Sequence, residues 1–135
     1  MIMEPRISII TLGVKDLKKS TKFYQDLGFP LQPGTDAISF FELAGTWLAL
    51  FPKSSLAKDA NILPKGNGFS GFTLAHNVKS KKDVDAIMKQ AEQIGAHVTD
   101  QPHDRDWGGY SGYFADPDGY LWEIAWNPYF KLDAK

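Results

Sequence analysis

Residues 107–128 read WGGYSGYFADPDGYLWEIAWNP, and the fold is decided in this stretch. Asp116-Pro117-Asp118-Gly119 puts Asp at the first position of a four-residue turn, Pro at the second and Gly at the fourth, the preferences of a type I β-turn. Aromatic-rich runs flank the turn, so the stretch predicts an antiparallel hairpin. In its second strand a period of two places Leu121, Glu123 and Ala125 on one face and Trp122, Ile124 and Trp126 on the other. Glu123 is the one charge between Tyr120 and Trp126. If its face is covered, the carboxylate needs a metal, a ligand donor or a basic side chain as partner, because an unpaired buried charge is costly. If the face meets water, Glu123 is a solvated strand residue.

Upstream of the hairpin the chain repeats itself. Arg6 to Val14, rich in β-branched residues, predicts a strand. Asp16 caps a helix carrying Leu17, Tyr24 and Leu27, and Gly28 ends it. Phe29 to Gln32 suits a short strand, and Ile38 to Leu43 and Thr46 to Phe51 suit two more joined through Ala44-Gly45. Lys53 to Gly68 is polar, contains Pro and Gly and shows no sustained period, so it reads as a connector. The order then recurs. Phe69 to Val78 is a strand, and Ser80 caps a helix with Val84, Ile87, Ala91 and Ile94 on one stripe. Gly95 stops that helix, His97 to Asp100 suits a short strand, and the hairpin completes the set.

The halves align at Val14/Val78, Leu27/Ile94 and Gly45/Gly119, a repeat of about half the chain. The expected class is α+β: two tandem βαβββ modules forming a curled mixed sheet with a ligand cleft. The first module spans about residues 6–52, the linker 53–68 and the second module about 69–128, within one domain of 135 residues. On this register Glu123 corresponds to Ala49, and Ile9 to Thr73.

A net charge of −1 and a pI near 6.3 supply no field for a polyanion, which argues against nucleic acid. Lys18, Lys19, Lys79, Lys81 and Lys82 cluster only near helix starts, as a solvated face does. Cysteine is absent, which excludes disulfides, zinc thiolate sites and a thiol nucleophile. No leader and no apolar run of spanning length is visible, so no membrane role is expected and the cytoplasm is the expected location.

Two copies of strand, helix and three strands, ending in a Gly-Tyr-Phe-Ala-Asp-Pro-Asp-Gly-Tyr-Leu-Trp-Glu hairpin, resemble the vicinal oxygen chelate superfamily. That group contains glyoxalase I, extradiol dioxygenases and bleomycin resistance proteins. The resemblance runs from Ile7 to Pro128 and is most specific at Ile10-Thr11-Leu12-Gly13-Val14-Lys15-Asp16-Leu17, at Phe23-Tyr24, at Leu27-Gly28-Phe29 and from Trp107 onward. It implies sheets curled into a half-open trough, helices behind, a small-molecule cleft in front, and a homodimer as a common assembly. Metal-using members place one ligand on the first strand and one on the last strand of each module. Those positions fall here on Ile9, Ala49, Thr73 and Glu123, and only Glu123 is a competent ligand. One carboxylate does not hold a divalent ion against water, since open catalytic sites use about three protein ligands. No metal and no cofactor are therefore expected.

Strand parity sets His76 with Phe72, Leu74 and Val78, opposite Thr73, Ala75 and Asn77, and makes it a structural histidine. His103, Asp104 and Asp106 match no calcium or zinc spacing, and residues 101–107 fit a mobile rim over the cleft. Ser111 lacks the second glycine and the following helix of a nucleophile elbow. Gly108 and Gly109 precede a strand, so they form no phosphate-binding helix terminus. The expected cleft residues are Ile9, Ala49, Thr73, Asn77, Trp107, Tyr110, Tyr113 and Glu123. Aromatic walls around a carboxylate suit a planar or cationic organic ligand. The leading expectation is a metal-free protein binding a small organic molecule, similar in architecture to bleomycin resistance proteins. The alternative is a glyoxalase-like lyase or isomerase using Glu123 as general base or as a remnant metal ligand. A third is a vestigial cleft in a protein that works through a partner surface, the trough then being filled by Ile9, Trp47, Phe72 and Trp107.

Overall fold

The computed structural model describes residues 3–66, 68–70 and 72–129. The chain divides into two compact units between residues 66 and 67, inside the stretch read as a linker.

The first unit opens with β1 (Ile9–Val14) and α1 (Leu17–Leu27). Asp16 caps α1 by accepting the Lys19 N–H at 3.1 Å. Gly28 follows in the left-handed region at φ 115°, a conformation that carries no steric cost without a Cβ. β2 (Ser39–Glu42) and β3 (Trp47–Pro52) form a hairpin, and β1 joins β3 in parallel to give the order β1-β3-β2. The short strand expected at residues 29–32 is reduced to one bridge between Leu31 and Phe41. Tyr24 on α1 is fully buried, stacked on Phe29 and close to Phe41. Beside them Thr21 and Ser39 share a buried hydroxyl–hydroxyl hydrogen bond of 2.7 Å, which satisfies two polar groups the core would otherwise strand.

The expected connector is corrected at its start, where Lys53–Asp59 forms the helix α2. Its support is tertiary rather than periodic. A Cβ on Gly13 would lie 3.2 Å from the Lys53 Cα and 3.4 Å from Leu56 Cδ2, so α2 seats on β1 where that strand has no side chain. Ala57 is buried by the same packing.

The second unit repeats the order as β4 (Leu74–Val78), α3 (Lys81–Gln93), β5 (His97–Asp104), β6 (Tyr110–Ala115) and β7 (Leu121–Trp126). Its sheet runs β4-β7-β6-β5, with β4 parallel to β7 and the other pairs antiparallel. Ser80 caps α3 by accepting the Asp83 N–H at 3.1 Å. Val84, Met88 and Ala91, spaced four and three residues apart, are buried together as one helical stripe. They cover the sheet side that carries Phe114, Trp122 and Ile124, with Phe114 stacked on Trp122. At the hairpin turn Asp116 Oδ1 accepts the N–H groups of Asp118 and Tyr120, each at 2.9 Å, and Gly119 has φ 88°.

Two expectations for this unit shift. The strand read over residues 69–78 is ordered as strand only from Leu74, and the one read to Asp100 continues to Asp104, with register breaks on either side of Asp100. The polar stretch 101–107 is thus half strand. The duplication is visible in the geometry. Gly28 matches Gly95 (φ 105°), Gly45 (φ 86°) matches Gly119, and the pair Thr11–Ala49 matches Ala75–Glu123.

Candidate functional site

Glu123 sits mid-strand in β7, the inner strand between β4 and β6. Ala75 lies opposite it on the parallel side and Tyr113 on the antiparallel side, while Asn77 lies opposite Ala125. Directly paired residues share a sheet face, so these side chains converge on the side away from α3. The turn after β5 adds Trp107, and the residue just past β7 adds Asn127. Together Ala75, Asn77, Trp107, Glu123, Ala125 and Asn127 line a concavity of about 210 Å³.

Trp107 is held by its own turn. The Arg105 N–H donates to the Gly109 carbonyl at 2.8 Å and the Gly108 N–H to the Arg105 carbonyl at 3.0 Å. The indole lies against Gly109, where an added Cβ would overlap its Cη2 and Cζ3 atoms. Trp107 therefore forms a wall of the concavity rather than filling it, and Phe72 packs against Tyr120 instead.

Arg105, which the sequence reading passed over, is the organising cation on the Glu123 face of the sheet, bound to Asp100 and Ser111, which pair with Tyr113 and Ala125 there. Its Nε donates to Ser111 Oγ at 2.8 Å, and its Nη2 donates to Asp100 Oδ2 at 2.8 Å and to the Ser111 carbonyl at 3.0 Å. The guanidinium lies 5.6 Å from the Tyr113 ring centre, a cation–π distance. The Arg105 hydrogen bond holds the Asp100 carboxyl below its ordinary range. Burial pushes the Tyr113 hydroxyl up, and the Glu123 charge and a hydrogen bond to Glu123 push it the same way, against Arg105. Tyr113 is thus a neutral donor at neutral pH, aimed at the Glu123 carboxylate.

The other expected residues fall in several places. Tyr110, expected at the cleft, stands on the opposite face. It is three residues from Tyr113, an odd interval in a period of two, and it pairs with Trp126. Its hydroxyl donates to Asp85 Oδ1 of α3 at 2.6 Å, and Lys81 Nζ lies over both rings while pairing with Asp104. Thr73 shares the parity of Asn77 but precedes the first residue of β4, is exposed, and takes no part in the lining. Ile9 and Ala49 belong to the first unit on one sheet face, Ile9 exposed opposite Trp47 and Ala49 fully buried opposite Thr11. His76 pairs with Ile124 on the face away from Glu123, and partial burial lowers its pKa. His103 reaches Asp100 at 3.2 Å. Ala125 and Asn127 were legible as the next steps of the Glu123 parity, and Arg105 as the one cation in a run of acidic and polar residues.

The Asp85 hydrogen bond, aided by desolvation and by acidic neighbours, raises the Tyr110 pKa from 10.0 to about 12. Because the folded value exceeds the unfolded one, the contact stabilises the native state fully below pH 10 and its contribution fades as pH rises toward 12. Phenolate absorbance of the native protein should include a Tyr110 step at about 12. That late step should vanish in Tyr110→Phe.

Residues 6–124 match the family model of the Glyoxalase/Bleomycin resistance protein/Dioxygenase superfamily. The chain belongs to this superfamily. A glyoxalase-related enzyme from Fulvimarina pelagi is similar at 32% identity and a TM-score of 0.90, over 97% of this chain and 94% of that one. The fosfomycin resistance protein FosX from Listeria monocytogenes is similar at 27% identity and a TM-score of 0.73, over 94% of this chain and 97% of that one. The metallothiol transferase FosB of Lysinibacillus sphaericus (strain C3-41) is 29% identical over 121 residues, 87% of this chain and 79% of the relative.

A metallothiol transferase is named for its metal. Among the described residues no three His, Cys, Asp or Glu side chains gather into a group able to hold a metal ion. Around Glu123 the strand positions carry Ala75 and Asn77, which offer a methyl group and a neutral amide. The described residues around Glu123 do not by themselves make the donor set of a divalent-ion site. No helix among the described residues is long and apolar enough to cross a membrane.

Proposed function

We propose that this superfamily member binds a small organic molecule in the concavity of its second unit, without a metal. The observation that carries the reading is the Glu123 carboxylate. It faces the concavity beside the Asn77 amide and an indole wall, and among the described residues no group of metal donors gathers with it. An apolar hollow with a few convergent polar groups is the usual form of a small-molecule site. The volume of about 210 Å³ is below the usual drug-sized range, so the occupant is a compact metabolite or one end of a larger one.

Metal analysis tests this directly. Protein purified without chelators should carry no stoichiometric zinc, nickel or iron, and titration with each ion should give no tight uptake. Stoichiometric, Glu123-dependent binding of any of them would overturn the reading.

One observation favours a second reading, a glyoxalase-like lyase or isomerase. The neutral Tyr113 hydroxyl and the Glu123 carboxylate form an adjacent donor and acceptor of protons on one face. Such a pair suits proton abstraction next to a carbonyl, with Glu123 as general base. A screen for solvent deuterium entering carbonyl metabolites should then show exchange with the wild type and none with Glu123→Gln. Equal inertness of the two proteins leaves binding as the function.

A further inference from the structure

We infer that the occupant of the concavity is an organic cation: a small ammonium compound with a flat apolar body, rather than a carboxylate, phosphonate or other anion. The inference rests on the small-molecule reading above and deepens it by assigning a charge class.

The argument begins with what lines the hollow. Of Ala75, Asn77, Trp107, Glu123, Ala125 and Asn127, only Glu123 is ionisable, so the walls carry one negative charge and no positive one. Among the described residues no ion pair reaches that carboxylate. Its neighbour on β6 is the Tyr113 hydroxyl, a neutral donor that covers part of the carboxylate and leaves its charge in place.

The cation beside the site on the same sheet face is already committed. Arg105 is bound to Asp100 and twice to Ser111, its side chain is 19% exposed, and it lies against the Tyr113 ring. It lies alongside Tyr113 and is itself paired with Asp100. A second cation, Lys81, lies on the helix side of the sheet between Asp104 and the rings of Tyr110 and Trp126. Neither supplies the countercharge that a half-buried carboxylate favours.

The remaining walls fit an ammonium group. The Asn77 amide offers an oxygen to an N–H donor. The Asn127 amide is fixed by the Tyr129 N–H, which donates to Asn127 Oδ1 at 2.8 Å, and its carbonyl keeps a second lone pair. The Trp107 indole, seated against Gly109 and lining the hollow, offers an aromatic wall to a cation or an aromatic body. An anion placed here meets the Glu123 charge at close range with no cationic group on the walls to offset it. The geometry thus selects by charge as well as by shape.

The test uses the full chain and three probes of one shape and different charge: phenethylammonium, 2-phenylethanol and phenylacetate. Binding is followed by amide chemical shifts in titrations at neutral pH. The cation should bind at least tenfold more tightly than the alcohol, and phenylacetate more weakly than either. In Glu123→Gln the cation and the alcohol should bind within about threefold of each other, and an amide spectrum as dispersed as that of the wild type shows that the variant is folded. Glu123→Asp should retain part of the preference. A preference for phenylacetate, or a cation preference that survives in Glu123→Gln, would overturn the charge assignment while leaving the small-molecule reading intact. Failure of all three probes to shift any resonance from the second unit would count against both.

Discussion

Phe114→Ala should lower the unfolding free energy by about 3–5 kcal/mol, the cost of a large cavity in a core that relaxes only in part. Phe114 is fully buried, stacks on Trp122 at 6.5 Å between ring centres, and lies beneath the Val84, Met88 and Ala91 stripe of α3. The truncation removes the centre of the layer joining that helix to β6 and β7. Urea unfolding followed by tryptophan fluorescence reads the effect where it occurs, because Trp107, Trp122 and Trp126 all belong to the second unit and only Trp47 to the first. A loss below about 1 kcal/mol would mean that α3 can settle into the vacated space, against the dense packing usual of protein interiors.

Gly109→Ala should be the most damaging single-methyl change near the site. The added Cβ would overlap the Trp107 indole and would also lie 2.8 Å from the Trp126 backbone carbonyl. The ring must swing away, and β6 must separate slightly from β7. Overpacking of this kind costs about 1–3 kcal/mol. The second consequence is functional: with its indole wall displaced, the protein should lose phenethylammonium affinity by tenfold or more, although residue 109 is not part of the lining. Trp107→Leu distinguishes the two effects. It should reproduce the loss of affinity with a smaller loss of stability, since the indole is already 45% exposed and no backbone has to move. Full retention of binding in Gly109→Ala would show that the wall contributes nothing to recognition.

Much of the architecture was written in short-range signals. Asp16 and Ser80 as caps, Gly28 and Gly95 as helix stops, and Gly45 and Gly119 as turn glycines all act through their nearest neighbours, so sequence alone exposes them. The α+β class, the duplication and the superfamily followed from their order. The helix α2 was hidden because its support is a contact between Leu56 and the bare backbone of Gly13, far apart in sequence. The extra length of β5 was masked by Pro102, which an edge strand tolerates and an inner one does not.

At the site, period-two arithmetic placed Glu123, Ala125 and Asn77 on one face. The same arithmetic, applied to the first strand of the hairpin, would have moved Tyr110 behind the sheet, since it and Tyr113 differ by an odd step. Arg105 was harder to find. Its role depends on Asp100 and Ser111 arriving from two strands, an arrangement that only the β5–β6 pairing creates.

The outer margin of the four-stranded sheet has a consequence for how the protein behaves in a crowded solution. β5 breaks register twice, carries Pro102 over Gly112, and ends in His103 and Asp104. A proline lacking its amide hydrogen, two irregular steps and a charged tip are poor templates for a foreign backbone. A second molecule finds no continuous row of donors and acceptors along that border, so fibril growth by strand addition should not start there.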